Sequence, residues 1–197
     1  FNRRKAINII PEIQKISSEL EEIYKDLHAN PELGFEEVRT SEIVEKKLRE
    51  YGVDEVHTGL GKTGVIGVIR GENLGNNKCI GLRADMDALP IQENTNLPYA
   101  SKITGKMHAC GHDGHTTMLL GASKYLAEKR NFKGTAIMIF QPAEEGLGGA
   151  VKMIEDGLFE KFPCDEIYGI HNTPNGKFGK VGICKGIAMA GAAFFDI

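Results

Sequence analysis

Residues 134–140 read Gly134-Thr135-Ala136-Ile137-Met138-Ile139-Phe140, an apolar run with almost no polar interruption. Successive side chains of a strand point to opposite faces, so a strand apolar at every position needs cover on both sides. Helical patterns in the rest of the chain supply that cover. Residues 12–29 place Ile13, Ile16, Leu20, Ile23 and Leu27 at spacings of three and four, which predicts an amphipathic helix ended by Asn30-Pro31. Residues 36–51 repeat the pattern with Val38, Ile43, Val44 and Leu48, and Gly52 stops this second helix. A third helix is predicted over about 112–130, with Met118, Leu119, Ala122, Tyr125 and Leu126 inward, and a short one around 148–156. Short apolar runs at 65–69, 79–82 and 166–170 read as strands, the first two as a hairpin across 71–77. Two more strand-like pieces lie in 178–197. Strands and helices alternating at these lengths predict an α/β sandwich with a largely parallel central sheet, in one domain spanning residues 1–197.

The composition sets bounds on function. Basic and acidic residues number 24 and 27, a net charge of −3, so a nucleic-acid partner is not expected. No apolar run approaches the roughly 18 residues of a membrane span, so no membrane partner is expected either. The apolar stretch Ala6-Ile7-Asn8-Ile9-Ile10-Pro11 is short for a secretory signal, and charge follows at once. The chain begins at Phe1, which reads as a portion of a longer product. Cys79, Cys110, Cys164 and Cys184 form no C-x-x-C pair, so reduced thiols and a cytoplasmic location are expected.

Three predicted strands run into polar residues: Asp85-Met86-Asp87, then Gln141-Pro142-Ala143-Glu144-Glu145, then His171-Asn172. If they are parallel, the three endings share one edge of the sheet, where open α/β sheets bind ligands. The densest signal is Met107-His108-Ala109-Cys110-Gly111-His112-Asp113-Gly114-His115, just before a helix. Thiolate, imidazole and carboxylate are ligands for Zn, Co, Ni or Mn. The plainer alternative is a polar loop with Asp113 capping the helix. Gly111 would let the backbone turn so that Cys110 and His112 face one ion. His108 and His115 are read as partners supporting the ligands rather than as ligands. For Glu144-Glu145 the alternatives are an acidic first helical turn, or one carboxylate on metal and its neighbour acting as general base. Asp85 and Asp87 point the same way on an extended backbone, one toward a metal and one orienting a ligand, or else both are exposed turn residues.

Other patterns carry less. Gly59-Leu60-Gly61-Lys62-Thr63-Gly64 matches G-x-G-x-x-G, but strand-forming residues follow it and no helix opens there. There is no H-E-x-x-H, and Ser123 lacks the second glycine of a nucleophile elbow.

The segments Gly81-Leu82-Arg83-Ala84-Asp85-Met86-Asp87-Ala88-Leu89-Pro90, Met107-His108-Ala109-Cys110-Gly111-His112-Asp113 and Gln141-Pro142-Ala143-Glu144-Glu145-Gly146 resemble the hippurate hydrolase and N-acyl-amino-acid amidohydrolase family, aminoacylase-like co-catalytic metallopeptidases. His28-Ala29-Asn30-Pro31-Glu32-Leu33-Gly34-Phe35-Glu36-Glu37 resembles the family's N-terminal signature. The resemblance implies a three-layer, zinc-exopeptidase-like catalytic domain with two divalent ions (Zn, Mn, Co or Ni). It implies Cys110, His112, Glu145 and His171 as metal ligands and Glu144 as general base, with Asp85, Asp87, Asp113 and His108 in support. It further implies hydrolysis of the amide bond of N-acyl amino acids or dipeptide-like substrates by a metal-activated water. A lid and dimerisation domain, through which the full-length protein would form a homodimer, and a last histidine ligand are expected beyond residue 197. Phe194 and Phe195 are expected as an apolar patch at a sheet edge. The rival functions are a non-catalytic metal-binding scaffold, an inactive fragment of such a hydrolase, and a mononuclear zinc hydrolase.

Overall fold

The computed structural model describes residues 9–73, 75 and 78–187. The chain divides into two compact units, residues 9–171 and residues 1–8 with 172–197. All helices and strands described below belong to the first unit. Among the described residues of the second, none is in a helix or strand. Phe194 and Phe195 lie outside the described residues, as does the half of the expected strand-like tail from 188 on; the half over 178–187 forms no strand.

The predicted first helix is two: α1 (Pro11–Lys15) and α2 (Ser17–Ala29), broken at Ile16. There follow α3 (Val38–Glu50), β1 (Glu55–Leu60), β2 (Gly64–Arg70), β3 (Cys79–Asp85), α4 (His112–Lys129), β4 (Thr135–Gln141), α5 (Gly149–Glu155), α6 (Leu158–Lys161) and β5 (Glu166–Gly169). The sheet order is β1-β2-β4-β3-β5.

The expected hairpin between the second and third strands does not form. Strand β4 lies between β2 and β3, antiparallel to the first and parallel to the second. The hairpin partner of β2 is β1, and its turn is the Gly59–Gly64 stretch, where Gly61 and Lys62 take positive φ of 61° and 72°. That turn explains the glycine pattern without a nucleotide. The sheet is therefore mixed. Its parallel part is β4-β3-β5, and the register pairs Asp85 with Gln141 and Arg83 with Gly169, so all three strands end on one edge.

The alternation of β4 divides the core. Ala136, Met138 and Phe140 pack with Leu27, Leu48 and Leu120 from α2, α3 and α4. Ile137 and Ile139 face the other way, with Met153, Leu158 and Phe162 beside α5 and α6. This gives helix, sheet and helix layers with β4 sealed on both faces, as its apolar run requires. Emptying the fully buried Phe140 site by Phe140→Ala would cost about 3–5 kcal/mol. Strand β5, in contrast, is exposed along its length rather than a core strand. No helix of the described residues is long and apolar enough to cross a membrane.

Candidate metal centre

Four chain segments meet at the carboxyl edge of β3, β4 and β5. The 110–112 segment enters α4 through Gly111, whose φ of 89° is left-handed, a conformation a side chain resists. The turn leaves Cys110 Sγ 3.5 Å from His171 Nε2. The donor atoms of Cys110, His112 and His171 all lie within 4.8 Å of one another. The same holds for His112, Glu144 and Glu145, and for Asp85, His112 and His115. His112, fully buried, belongs to all three groups.

The carboxylates behind His112 set its orientation. Asp87 Oδ1 accepts a hydrogen bond from His112 Nδ1 at 3.2 Å, and Asp87 Oδ2 accepts one from the Glu145 backbone N–H at 3.0 Å. His112 Nε2 then points into the cluster, 3.8 Å from Glu145 Oε1, 4.0 Å from Glu144 Oε2 and 3.6 Å from Asp85 Oδ2. His115 Nδ1 donates to Asp85 Oδ1 at 2.6 Å, and Arg83 to Asp85 Oδ2 at 2.7 Å. Burial works to raise the Asp85 carboxyl, but the His115 hydrogen bond and the charges of Arg83 and His112 hold it at about 2.

The donor set fits a cation. His112 Nε2 and Glu145 Oε1 are buried and make no hydrogen bond, an arrangement that is costly unless a positive partner is shared. Burial and the neighbouring carboxylates of Glu145, Glu144 and Asp85 push the Cys110 thiol up to about 12. A bound cation reverses that preference, since coordination favours the thiolate. Glu144 keeps 41% of its side chain exposed and Glu145 28%.

The remaining residues singled out in the sequence fall near the cluster with different contacts. Asp113 Oδ2 accepts from His28 Nδ1 at 2.6 Å, while Glu93 Oε1 lies 3.2 Å from His28 Nε2. Asp113 thus braces the start of α4, one residue past His112. His108 is buried with neither ring nitrogen hydrogen-bonded, and burial keeps it neutral, its pKa pushed down to about 4. It contacts no donor group of the cluster through a hydrogen bond, so its supporting role has no visible link here. Sequence reasoning assigned no role to His28, Glu93 or Glu37. The only signal was that His28 and Glu37 open and close the N-terminal segment 28–37.

Residues 81–189 match the family described as Peptidase family M20/M25/M40. The chain belongs to this family. It is 56% identical over 191 residues to the hippurate hydrolase of Campylobacter jejuni subsp. jejuni serotype O:2, covering 97% of this chain and 49% of that protein. It is 45% identical over 174 residues to the N-acetylcysteine deacetylase of Bacillus subtilis, covering 88% and 45%. A solved dinuclear metal binding peptidase of the M20 family, also from Bacillus subtilis, matches with a TM-score of 0.76 at 44% identity, over 82% of this chain and 44% of that one. The chain spans about half the length of the curated relatives it matches.

Proposed function

We propose that the protein is a metal-dependent amidohydrolase that cleaves the amide bond of N-acyl amino acids, with two divalent ions at the 110–112 cluster. The observation that carries the proposal is the orphaned pair His112 Nε2 and Glu145 Oε1, buried 3.8 Å apart beside Cys110 and His171. The hippurate hydrolase and deacetylase relatives and the dinuclear neighbour support the same reading.

On this reading Cys110, His112, Glu145 and His171 hold the ions. Bound divalent ions supply Lewis acidity, polarising an amide carbonyl and acidifying water. Glu144, the more exposed carboxylate, takes the proton of the attacking water and returns it to the departing amine. Asp87 orients His112 and the Glu145 backbone, and Asp85 fixes His115. Zn, Mn, Co and Ni all suit this mixed thiolate, imidazole and carboxylate set. The homodimer, drawn from the family resemblance, and the cytoplasmic location, drawn from the cysteine pattern, are further parts of the reading.

The test is metal analysis of the intact protein together with a hydrolysis screen of hippurate, N-acetylcysteine and simple dipeptides. About two metal ions per chain with turnover of the acyl amino acids is the expected result. Metal without turnover of any of them would favour the scaffold, and a single ion with turnover would favour the mononuclear enzyme.

A further inference from the structure

Glu37 is fully buried just before α3, a place where a carboxylate is expensive unless it is bonded. Its Oε1 accepts the backbone N–H of Ala143 at 2.7 Å and its Oε2 the hydroxyl of Thr63 at 2.6 Å. Ala143 sits immediately before Glu144-Glu145 and takes a left-handed φ of 49°, which a non-glycine residue adopts only under constraint. The carbonyl of Ala143 is held from the other side by the N–H of Gly149 at 2.9 Å. Gly34 packs so closely that an added Cβ would lie 3.1 Å from Ala143 Cα.

The chain from the last turn of α2 to the start of α3 behaves alike. The backbone carbonyl of Glu32 accepts the N–H of Ala88 at 2.8 Å, one residue past Asp87. His28 bonds Asp113 one residue past His112, and Glu37 bonds Ala143 one residue before Glu144. One segment therefore bonds at three points, each a single residue from Asp87, His112 or Glu144.

We propose that Glu37 is a positioning residue for Glu144: bridged between Thr63 and Ala143, it holds the left-handed turn that aims Glu144 at its proton, while Asp87 separately holds the Glu145 N–H. This rests on Glu144 being the general base. Glu37 acts through the backbone and touches no donor group of the cluster. A misdirected base lowers turnover more than substrate binding, and displacements of about 1 Å can cost about 10²-fold.

The experiment uses the intact, metal-loaded protein with hippurate as substrate. Glu37→Leu keeps bulk but leaves the Ala143 N–H without an acceptor. Glu37→Gln keeps an acceptor for Ala143 and can donate to Thr63. Leu48→Ala, a buried site on α3 away from the cluster, is the control for lost stability alone. Glu37→Leu should lower kcat about 10²-fold, with KM within about threefold and metal content unchanged. Glu37→Gln should restore most of that kcat. Leu48→Ala should lower the melting temperature without lowering kcat. Equal kcat in Glu37→Leu and the parent, or a loss no greater than in Leu48→Ala, would overturn the proposal. If Glu37→Leu fails to fold, Thr63→Val decides, since it removes one donor from the clamp. Reduced kcat at unchanged metal content supports the clamp, and parental kcat overturns it. Glu144→Gln run alongside separates the two claims: parental turnover in that variant defeats the base assignment itself, whatever Glu37 does.

Discussion

Asp87 bridges His112 and Glu145, one carboxylate oxygen 3.2 Å from the His112 Nδ1 and the other 3.0 Å from the Glu145 N–H. With Nδ1 donating, the Nε2 lone pair of a neutral imidazole is fixed toward the cluster. A single buried carboxylate thus sets the orientation of His112 and holds the backbone of Glu145. Asp87→Asn should raise the metal dissociation constant about 10–100-fold, the usual cost of losing such support. Chelator competition on the intact protein measures it, and an unchanged constant would show that Asp87 does not set ligand orientation.

Burial of Cys110, together with the carboxylates of Glu145, Glu144 and Asp85 around it, predicts its reactivity once metal is removed. The thiol is pushed to about 12 from an ordinary 9.0. At pH 8 that lowers the thiolate population about 10³-fold, and the more basic thiolate recovers part of the loss through higher nucleophilicity. In chelator-stripped protein, alkylation of Cys110 should run at least about tenfold slower than for an unperturbed thiol. Peptide mass spectrometry follows the site. Glu145→Gln should speed the reaction, and a fast Cys110 in the stripped parent would contradict this crowding.

His28 lies between Asp113 and Glu93, and its pKa is raised by the hydrogen bond to Asp113, then that to Glu93, against burial. A histidine raised on folding contributes stability fully present below its unfolded value of about 6.5 and lost as pH rises through the folded value. The melting temperature of the parent relative to His28→Gln should therefore decline as pH rises from below 6.5 through the folded pKa of His28. A difference that is flat with pH, or that grows with it, would show that the imidazolium is not what braces the start of α4.

Much of this was legible locally. The period of three and four in α2 and α3 and the unbroken apolar run of β4 fixed the layers. The donors were legible because they sit in short motifs, at strand ends for Asp85, Glu144, Glu145 and His171 and at the entry of α4 for Cys110 and His112. Strand β1, polar and at a sheet edge, gave no apolar run to read. The false hairpin arose because β2 and β3 are neighbours in sequence, whereas β4 reaches its place between them from more than 50 residues further on. The clamp was invisible for the same reason. Glu37 meets Ala143 across 106 residues and His28 meets Asp113 across 85, distances no local pattern encodes.

The central claim is the division of labour between Glu144 and Glu145, and the most direct measurement is metal content and kcat for Glu144→Gln beside Glu145→Gln in the intact protein. Glu145 carries the buried, unbonded oxygen 3.8 Å from His112 Nε2, while Glu144 is the more exposed. Glu144→Gln should keep both ions and lose about 10²–10⁴-fold in kcat, the scale of general acid–base catalysis. Glu145→Gln should lose metal, with activity partly recovered at high metal concentration. The reverse pattern, Glu144→Gln shedding metal and Glu145→Gln keeping it, would exchange the two roles, and full activity with full metal in both variants would contradict the account.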